Sequence, residues 1–266
     1  TIHVTTVTCP THAGGVVGGL FLLFSDTFWT SAIEAEVYGL AAFMMALLTW
    51  LALVWYEKRT EAKSDWVLLL LVYLFGLGVG FHLGSLLVFP GVFLLVFLAN
   101  DRQLPVLDLV LVAVGLALFL ASTTFITDEQ VLTWLVVFYA AGCVVRAARG
   151  RPFALFGLLL FVVGLSVHLV MIIRAGASPE PAINQTDPDS FATLMSVLRR
   201  EQYPPLNPLE RRAPLGFQFQ YYYDFFVHQF HFLNDGRGGL DRLGTFLGPI
   251  ALGLLGCLHG LRRVRP

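Results

Sequence analysis

Residues 37–56, 66–100, 109–127 and 152–173 contain no Asp, Glu, Lys or Arg. A stretch of about 20 apolar residues spans the hydrocarbon core of a bilayer, and only helices or closed barrels satisfy their backbone there. Leu, Val, Phe and Gly dominate these runs, which lack the alternation of apolar and polar residues that marks a barrel strand. The expected fold class is therefore all-α, a polytopic transmembrane helical bundle. Composition agrees: 13% of residues are charged and 56% hydrophobic, with a mean hydropathy of +0.73, where a soluble domain carries roughly 25% charge. Nothing in the chain reads as a water-soluble enzyme.

Eight hydrophobic segments are expected, at about 13–24, 32–56, 66–80, 83–99, 104–125, 131–145, 153–173 and 243–261. The third and fourth are short and are separated by Gly80-Phe81-His82-Leu83-Gly84-Ser85, so they read as two spans or as one kinked or re-entrant pair. Lys58, Arg59 and Lys63 follow the second segment, Arg102 the fourth, Arg146, Arg149 and Arg151 the sixth, and Arg262, Arg263 and Arg265 the eighth. Eight crossings from a cytoplasmic N-terminus place all four groups on the cytoplasmic side, as the positive-inside rule requires. The connections at 25–30, 81–85 and 127–130 then face the other side with the long loop. The sequence divides accordingly into a helical bundle (1–173), an extracytoplasmic loop (174–241), and a last span with a basic tail (242–266).

Within the loop, Asp187-Pro188 has the form of a helix start, an N-cap followed by Pro at the first helical position. Phe191, Leu194, Met195 and Leu198 recur at helical spacing and predict an amphipathic helix ending near Gln202. The run FQFQYYYDFFVHQFHF from Phe217 to Phe232 is dense in the aromatic residues that favour headgroup depth. It reads as a helix lying at the outer interface.

Glu34 and Glu36 stand just inside the outer end of the second segment. Carboxylates at membrane depth usually face a bundle interior, although near a helix N-terminus the helix dipole alone favours them. His82 is the polar residue of a glycine-flanked break, and such breaks often line cavities; it could equally hydrogen-bond frayed backbone. His168 and His259 read as packing residues. Arg199 and Arg200 end the loop helix. The dipole explains one basic residue there, and a guanidinium is also the preferred fork for phosphate. Asp224, His228 and His231 could bind a divalent metal, but interfacial polar residues are the plainer reading, and no cofactor is otherwise implied. Asn184-Gln185-Thr186 is a glycosylation sequon, of consequence only in a eukaryotic lumen. Cys9, Cys143 and Cys257 lack CxxC spacing and suggest neither a disulfide framework nor zinc. With a net charge of −1 and no basic block, no nucleic-acid partner is indicated.

Several spaced motifs resemble a bacterial membrane-protein family of unknown function. Phe28-Trp29, Ser31-Ala32 and Ala35-Glu36-Val37-Tyr38 are similar to its "FW…A…AEVY" signature. Gly78 to Leu83 is similar to "GLGxGNHL", with Phe81 in place of Asn. PAINQTDP at 181–188 resembles "NPxINENDP", and Arg200-Glu201-Gln202-Tyr203 matches "REQY". That family is similar in turn to the eukaryotic protein O-mannosyltransferase that acts on plexin-type receptor domains.

The resemblance implies a GT-C-type glycosyltransferase in the bacterial inner membrane. Such an enzyme moves a sugar from a polyprenyl-phosphate donor to a protein or glycan acceptor on the outer face. The residues it carries over are Trp29, Glu36, Tyr38, His82, Arg200, Glu201, Gln202 and Tyr203. Glu36 and Tyr38 would organise the acceptor or donor side, and His82 and Arg200 would contact phosphate. The family's acidic catalytic loop lies ahead of the matched region. The chain, which opens at Thr1 without a basic n-region, is therefore expected to be the C-terminal part of such an enzyme. Two other classes stay open: a non-catalytic scaffold or accessory subunit, and a transporter, against which the chain shows no internal repeat.

Overall fold

In the computed structural model, residues 9–34, 37–61, 63–100, 104–126, 128–178, 181–184, 186–203, 211, 213–229, 247–248, 250–256 and 258 are described. Among these the regular structure is helical throughout, with no strand. The chain forms two compact units, Leu40–Asn207 and the pairing of Thr1–Gly39 with Pro208–Pro266.

In the terminal unit, α1 (Cys9–Leu23) turns through 62° into α2 (Asp26–Ile33). The connection expected at 25–30 is thus largely helical. The turn closes locally, with the Ser25 hydroxyl donating to the Leu22 carbonyl at 2.8 Å. Ser25 stands at the N-cap of α2 but makes no side-chain cap. That role falls to Gln229, just beyond α11 (Leu215–His228). Its carbonyl accepts from Asp26 N at 2.8 Å and its Oε1 from Thr27 N at 3.2 Å, while its Nε2 donates to Thr27 Oγ1 at 2.7 Å. Two of the orphan donors of α2 are thereby satisfied from the far end of the chain. α11 coincides with most of the expected interfacial helix and leaves Phe217, Phe219, Tyr221 and Tyr222 exposed.

The second hydrophobic segment does not begin at residue 32. Glu34 is extended and exposed between α2 and α3 (Tyr38–Lys58), so it lies outside the helix it was expected to enter. α3 buries Ala41, Met44, Leu48, Ala52 and Trp55, a stripe with spacings of three and four, and turns Phe43, Trp50 and Leu53 outward. In lipid the outward face costs nothing, because acyl chains are as apolar as leucine.

The heart of the larger unit is the crossing of α4 (Asp65–Val79) with α8 (Phe153–Leu165). Small residues let the backbones touch. A Cβ on Gly76 would strike the Phe161 carbonyl, and one on Gly164 would strike the backbone of Tyr73 and Leu77. α6 (Val106–Thr124) and α7 (Glu129–Ala148) flank α8. α8 continues through a 3-10 turn (Ser166–His168) into α9 (Leu169–Ala175), where buried His168 places Nδ1 2.9 Å from the Leu165 carbonyl.

Among the described residues, four helices are long and apolar enough to cross a membrane: α3, α6, α7 and the α8–α9 rod. The bent α1–α2 pair adds a fifth if it is one span. This is a multi-pass membrane architecture. The two segments around His82 form α4, a 3-10 turn (Leu83–Val88) and α5 (Phe89–Leu98). At a rise of about 1.5 Å per residue neither is long enough alone for a core of about 30 Å. Much of the last expected span lies outside the described residues; those described within it are helical.

The loop helix α10 (Phe191–Leu198) starts later than expected and ends sooner. Asp187 has φ +40°, whereas an N-cap needs extended backbone. Ser190 caps instead, its Oγ accepting from Thr193 N at 3.3 Å while the Thr193 hydroxyl accepts from Ser190 N at 3.0 Å. That reciprocal pair is a capping box built with threonine.

Candidate functional site

The break after α4 is set by local chemistry. Phe81 and His82 both donate their amides to the Gly78 carbonyl, and the chain then extends at His82, with φ −163°. The imidazole caps the following 3-10 turn, with Nδ1 accepting from Gly84 N at 3.0 Å. With Nδ1 an acceptor, the neutral ring carries its proton on Nε2 and offers a donor there. Gly84 is the residue that permits this pose. A Cβ at that position would stand 2.6 Å from His82 Nδ1. Next in the turn, Ser85 is fully buried and its hydroxyl has no hydrogen-bond partner.

The end of α10 supplies the opposing wall. Glu201 N donates to the Ser196 carbonyl at 3.1 Å and Arg200 N to the Val197 carbonyl at 3.0 Å. These are the two bonds of a Schellman motif, whose left-handed residue is usually glycine. Here that residue is Arg200, at φ +59°. Its guanidinium carbon lies 5.1 Å from the centroid of the Tyr203 ring, within cation–π range. The preceding arginine goes elsewhere: Arg199 Nη1 donates to Glu129 Oε1 at 2.6 Å, at the start of α7. The two arginines therefore do different work.

His82, Arg200 and Tyr203 line one cavity of about 570 Å³, whose remaining walls are Leu83, Gly84, Leu86, Leu87, Phe89, Pro90 and Leu120. A fixed cation and a set of N–H and O–H donors thus line a space whose other described lining residues are hydrocarbon, with no carboxylate among the described lining residues. Such a space can hold an anion, because a low-dielectric wall strengthens charge-assisted hydrogen bonds.

The other sequence candidates divide. Glu201 and Gln202 are exposed and do not line the cavity. Trp29, about half exposed, stacks on Phe24 with centroids 6.2 Å apart; Tyr38 opens α3; both belong to the terminal unit. Glu36 lies outside the described residues, as does His231 of the suggested metal group. His228 places Nδ1 2.6 Å from the Asp224 carbonyl, and the Asp224 carboxylate accepts from Gln220. Among the described residues no cluster of three His, Cys, Asp or Glu could hold a metal.

One polar pair escaped the sequence reading. Asp108 of α6, 1% exposed, accepts from Arg146 of α7 at both carboxylate oxygens, at 2.8 and 3.0 Å. The signal was present: Asp108 is the acid inside an apolar run, and an intramembrane charge implies a partner. This forked pair sits away from the cavity residues in sequence and fixes α6 against α7.

Residues 3–105 match the family model described as the protein O-mannosyl-transferase TMEM260 N-terminal domain. No curated protein matches the chain, and no solved structure matches it. The matched stretch includes Trp29, Glu36, Tyr38 and His82. Arg200 and Tyr203 lie beyond it, so their place beside His82 is a matter of folded geometry.

Proposed function

We propose that this chain is a membrane glycosyltransferase, or part of one, that draws its sugar from a polyprenyl-phosphate donor in a GT-C-like bundle of about eight crossings. The observation that carries the reading is the cavity in which His82 and Arg200 face apolar walls, together with the similarity of residues 3–105 to an O-mannosyl-transferase domain. In this scheme the bond from the anomeric carbon to the donor phosphate breaks as the bond to the acceptor hydroxyl forms. The acceptor proton passes to a carboxylate outside the cavity, and the phosphate leaves with its negative charge. Arg200 and the His82 Nε2–H meet that charge where it develops, which lowers the barrier more than it tightens ground-state binding.

Glu36 and Tyr38 would then serve the acceptor side, with a protein hydroxyl as acceptor and the loop at 174–241 facing the outside of a bacterial inner membrane. A cation and hydrogen-bond donors among the described lining residues fit a phosphate-holding role and would equally suit an accessory subunit that only presents the donor.

The test uses the purified chain in nanodiscs titrated with a polyprenyl phosphate. Arg200→Ala and Arg200→Lys should each weaken binding about tenfold or more, since a lysine cannot reproduce the guanidinium fork. Arg199→Ala should leave binding unchanged. Equal, mild effects at both positions would refute the phosphate site.

A further inference from the structure

A second cavity, of about 220 Å³, opens between α6, α7 and α8. Its wall is hydrocarbon apart from Ser122 and Tyr139. The Ser122 hydroxyl donates to the Phe119 carbonyl at 2.7 Å, and that of Tyr139 packs against Gly115. Along α6 the wall runs from Val112 to Ser122. Ten residues of helix rise about 15 Å, or half of a hydrocarbon core of about 30 Å. The slot therefore has the depth of a single leaflet.

Its upper end adjoins the cavity of His82 and Arg200. Leu120 lines the polar cavity while Phe119 and Ser122, on the same turn of α6, line the apolar slot. α10 does the same, with Met195 over the slot and the residue after its C-cap, Arg200, on the polar cavity. Two elements thus wall both spaces, and what is anionic in one can be continuous with what is apolar in the other.

We propose that this slot holds one hydrocarbon chain of the lipid whose phosphate occupies the His82 and Arg200 cavity. The inference rests on the phosphate reading above and adds the seat of the lipid tail. A slot of leaflet depth, walled by hydrocarbon and sharing two walling elements with a cavity that suits an anion, fits the apolar tail of an amphiphile better than a helix, which would bring no anion to that cavity. The tail gains little by leaving lipid for protein, because both are apolar. The slot's contribution is dispersion contact and alignment, which holds the phosphate beside Arg200 at a fixed depth.

Val136 of α7 and Val162 of α8 line the slot and are about half exposed, so tryptophan there fills it without disturbing the core. Val137 is similarly exposed but does not line it. The chain in nanodiscs is titrated with two isoprenoid phosphates of identical head, one long and one of two isoprene units. Val136→Trp and Val162→Trp should weaken the long compound roughly fivefold or more and leave the short one unchanged, with Val137→Trp affecting neither. A long isoprenoid phosphate carrying a photoreactive diazirine in its tail should label peptides of α6 to α8. Unchanged affinity for the long compound in both slot variants, or labelling elsewhere, overturns the proposal. So does a shift from dimer to monomer in Val136→Trp, which would make the slot an interface between copies. Loss of the phosphate reading has a different signature: Arg200→Ala would then leave both compounds binding normally while the slot variants still discriminate tail length.

Discussion

The α4–α8 crossing and the cavity at its end are built on opposite principles. At the crossing every local choice agrees with the global one. Gly76 and Gly164 sit where two backbones meet, and apolar residues fill the remaining contact. Around the cavity, local rules are broken in succession. An arginine holds the left-handed position that suits glycine, His82 serves as a cap, and Ser85 buries an unpaired hydroxyl. The left-handed arginine and the unpaired hydroxyl each cost on the order of 1–3 kcal/mol. Such costs persist where a framework over-determines them, and they concentrate at functional sites. The crossing is the framework; the cavity is what it supports.

That contrast breaks first at the crossing. Gly164→Leu should abolish the folded state, because its Cβ alone meets backbone that cannot move aside; forced overpacking there exceeds the usual 1–3 kcal/mol of a crowded core, by roughly twofold or more. Monodisperse yield in detergent measures it, and a normal yield would mean the helices separate freely.

Removing one partner of a buried ion pair comes next. Asp108→Ala removes the forked acceptor of Arg146 and should lower the thermal midpoint. The double change Asp108→Leu with Arg146→Met should recover most of that. Thermal unfolding of the single and double variants in nanodiscs decides whether the pair fixes α6 against α7 or merely decorates them.

The cavity sharpens the contrast. Gly84→Ala pushes a methyl against the His82 ring and should destabilise by only about 1 kcal/mol, yet reduce polyprenyl-phosphate binding as much as His82→Ala does. Binding that survives Gly84→Ala would separate the imidazole from the site.

The smallest stability effect belongs to Arg200→Gly. Relief of the left-handed backbone, of order 1 kcal/mol, offsets the lost contact with Tyr203, of about 0.5–1 kcal/mol. The melting temperature should stay within a few degrees while phosphate binding falls about tenfold or more. A purely structural arginine would leave phosphate binding unchanged.

How much of this could be read before folding depends on range. Helices, their apolar faces and the interruption around His82 follow from periodicity and composition within one or two turns of chain. The division of Arg199 from Arg200 does not, since it follows from the left-handed backbone at Arg200 just beyond α10. The start of α10 was misplaced because Asp187-Pro188 satisfies the cap pattern in letters, while the backbone at Asp187 is left-handed and Ser190 caps. The second segment was started too early because hydropathy does not register the extended residue at Glu34.

By itself, then, the sequence determined that the chain is helical and built for lipid, since long uncharged runs without the alternation of a barrel strand leave the helix as the backbone solution in a bilayer. It also singled out His82 and Arg200 as polar groups at unusual places. Tertiary structure alone decided which groups meet. Gln229 reaches the amides of α2, Arg146 reaches Asp108, and Arg200 comes to share a cavity with His82. These pairings span tens to hundreds of residues, and nothing local encodes them. Within the larger unit, glycines let α4 and α8 close to backbone contact, and the side chains packed around that crossing take their places from it.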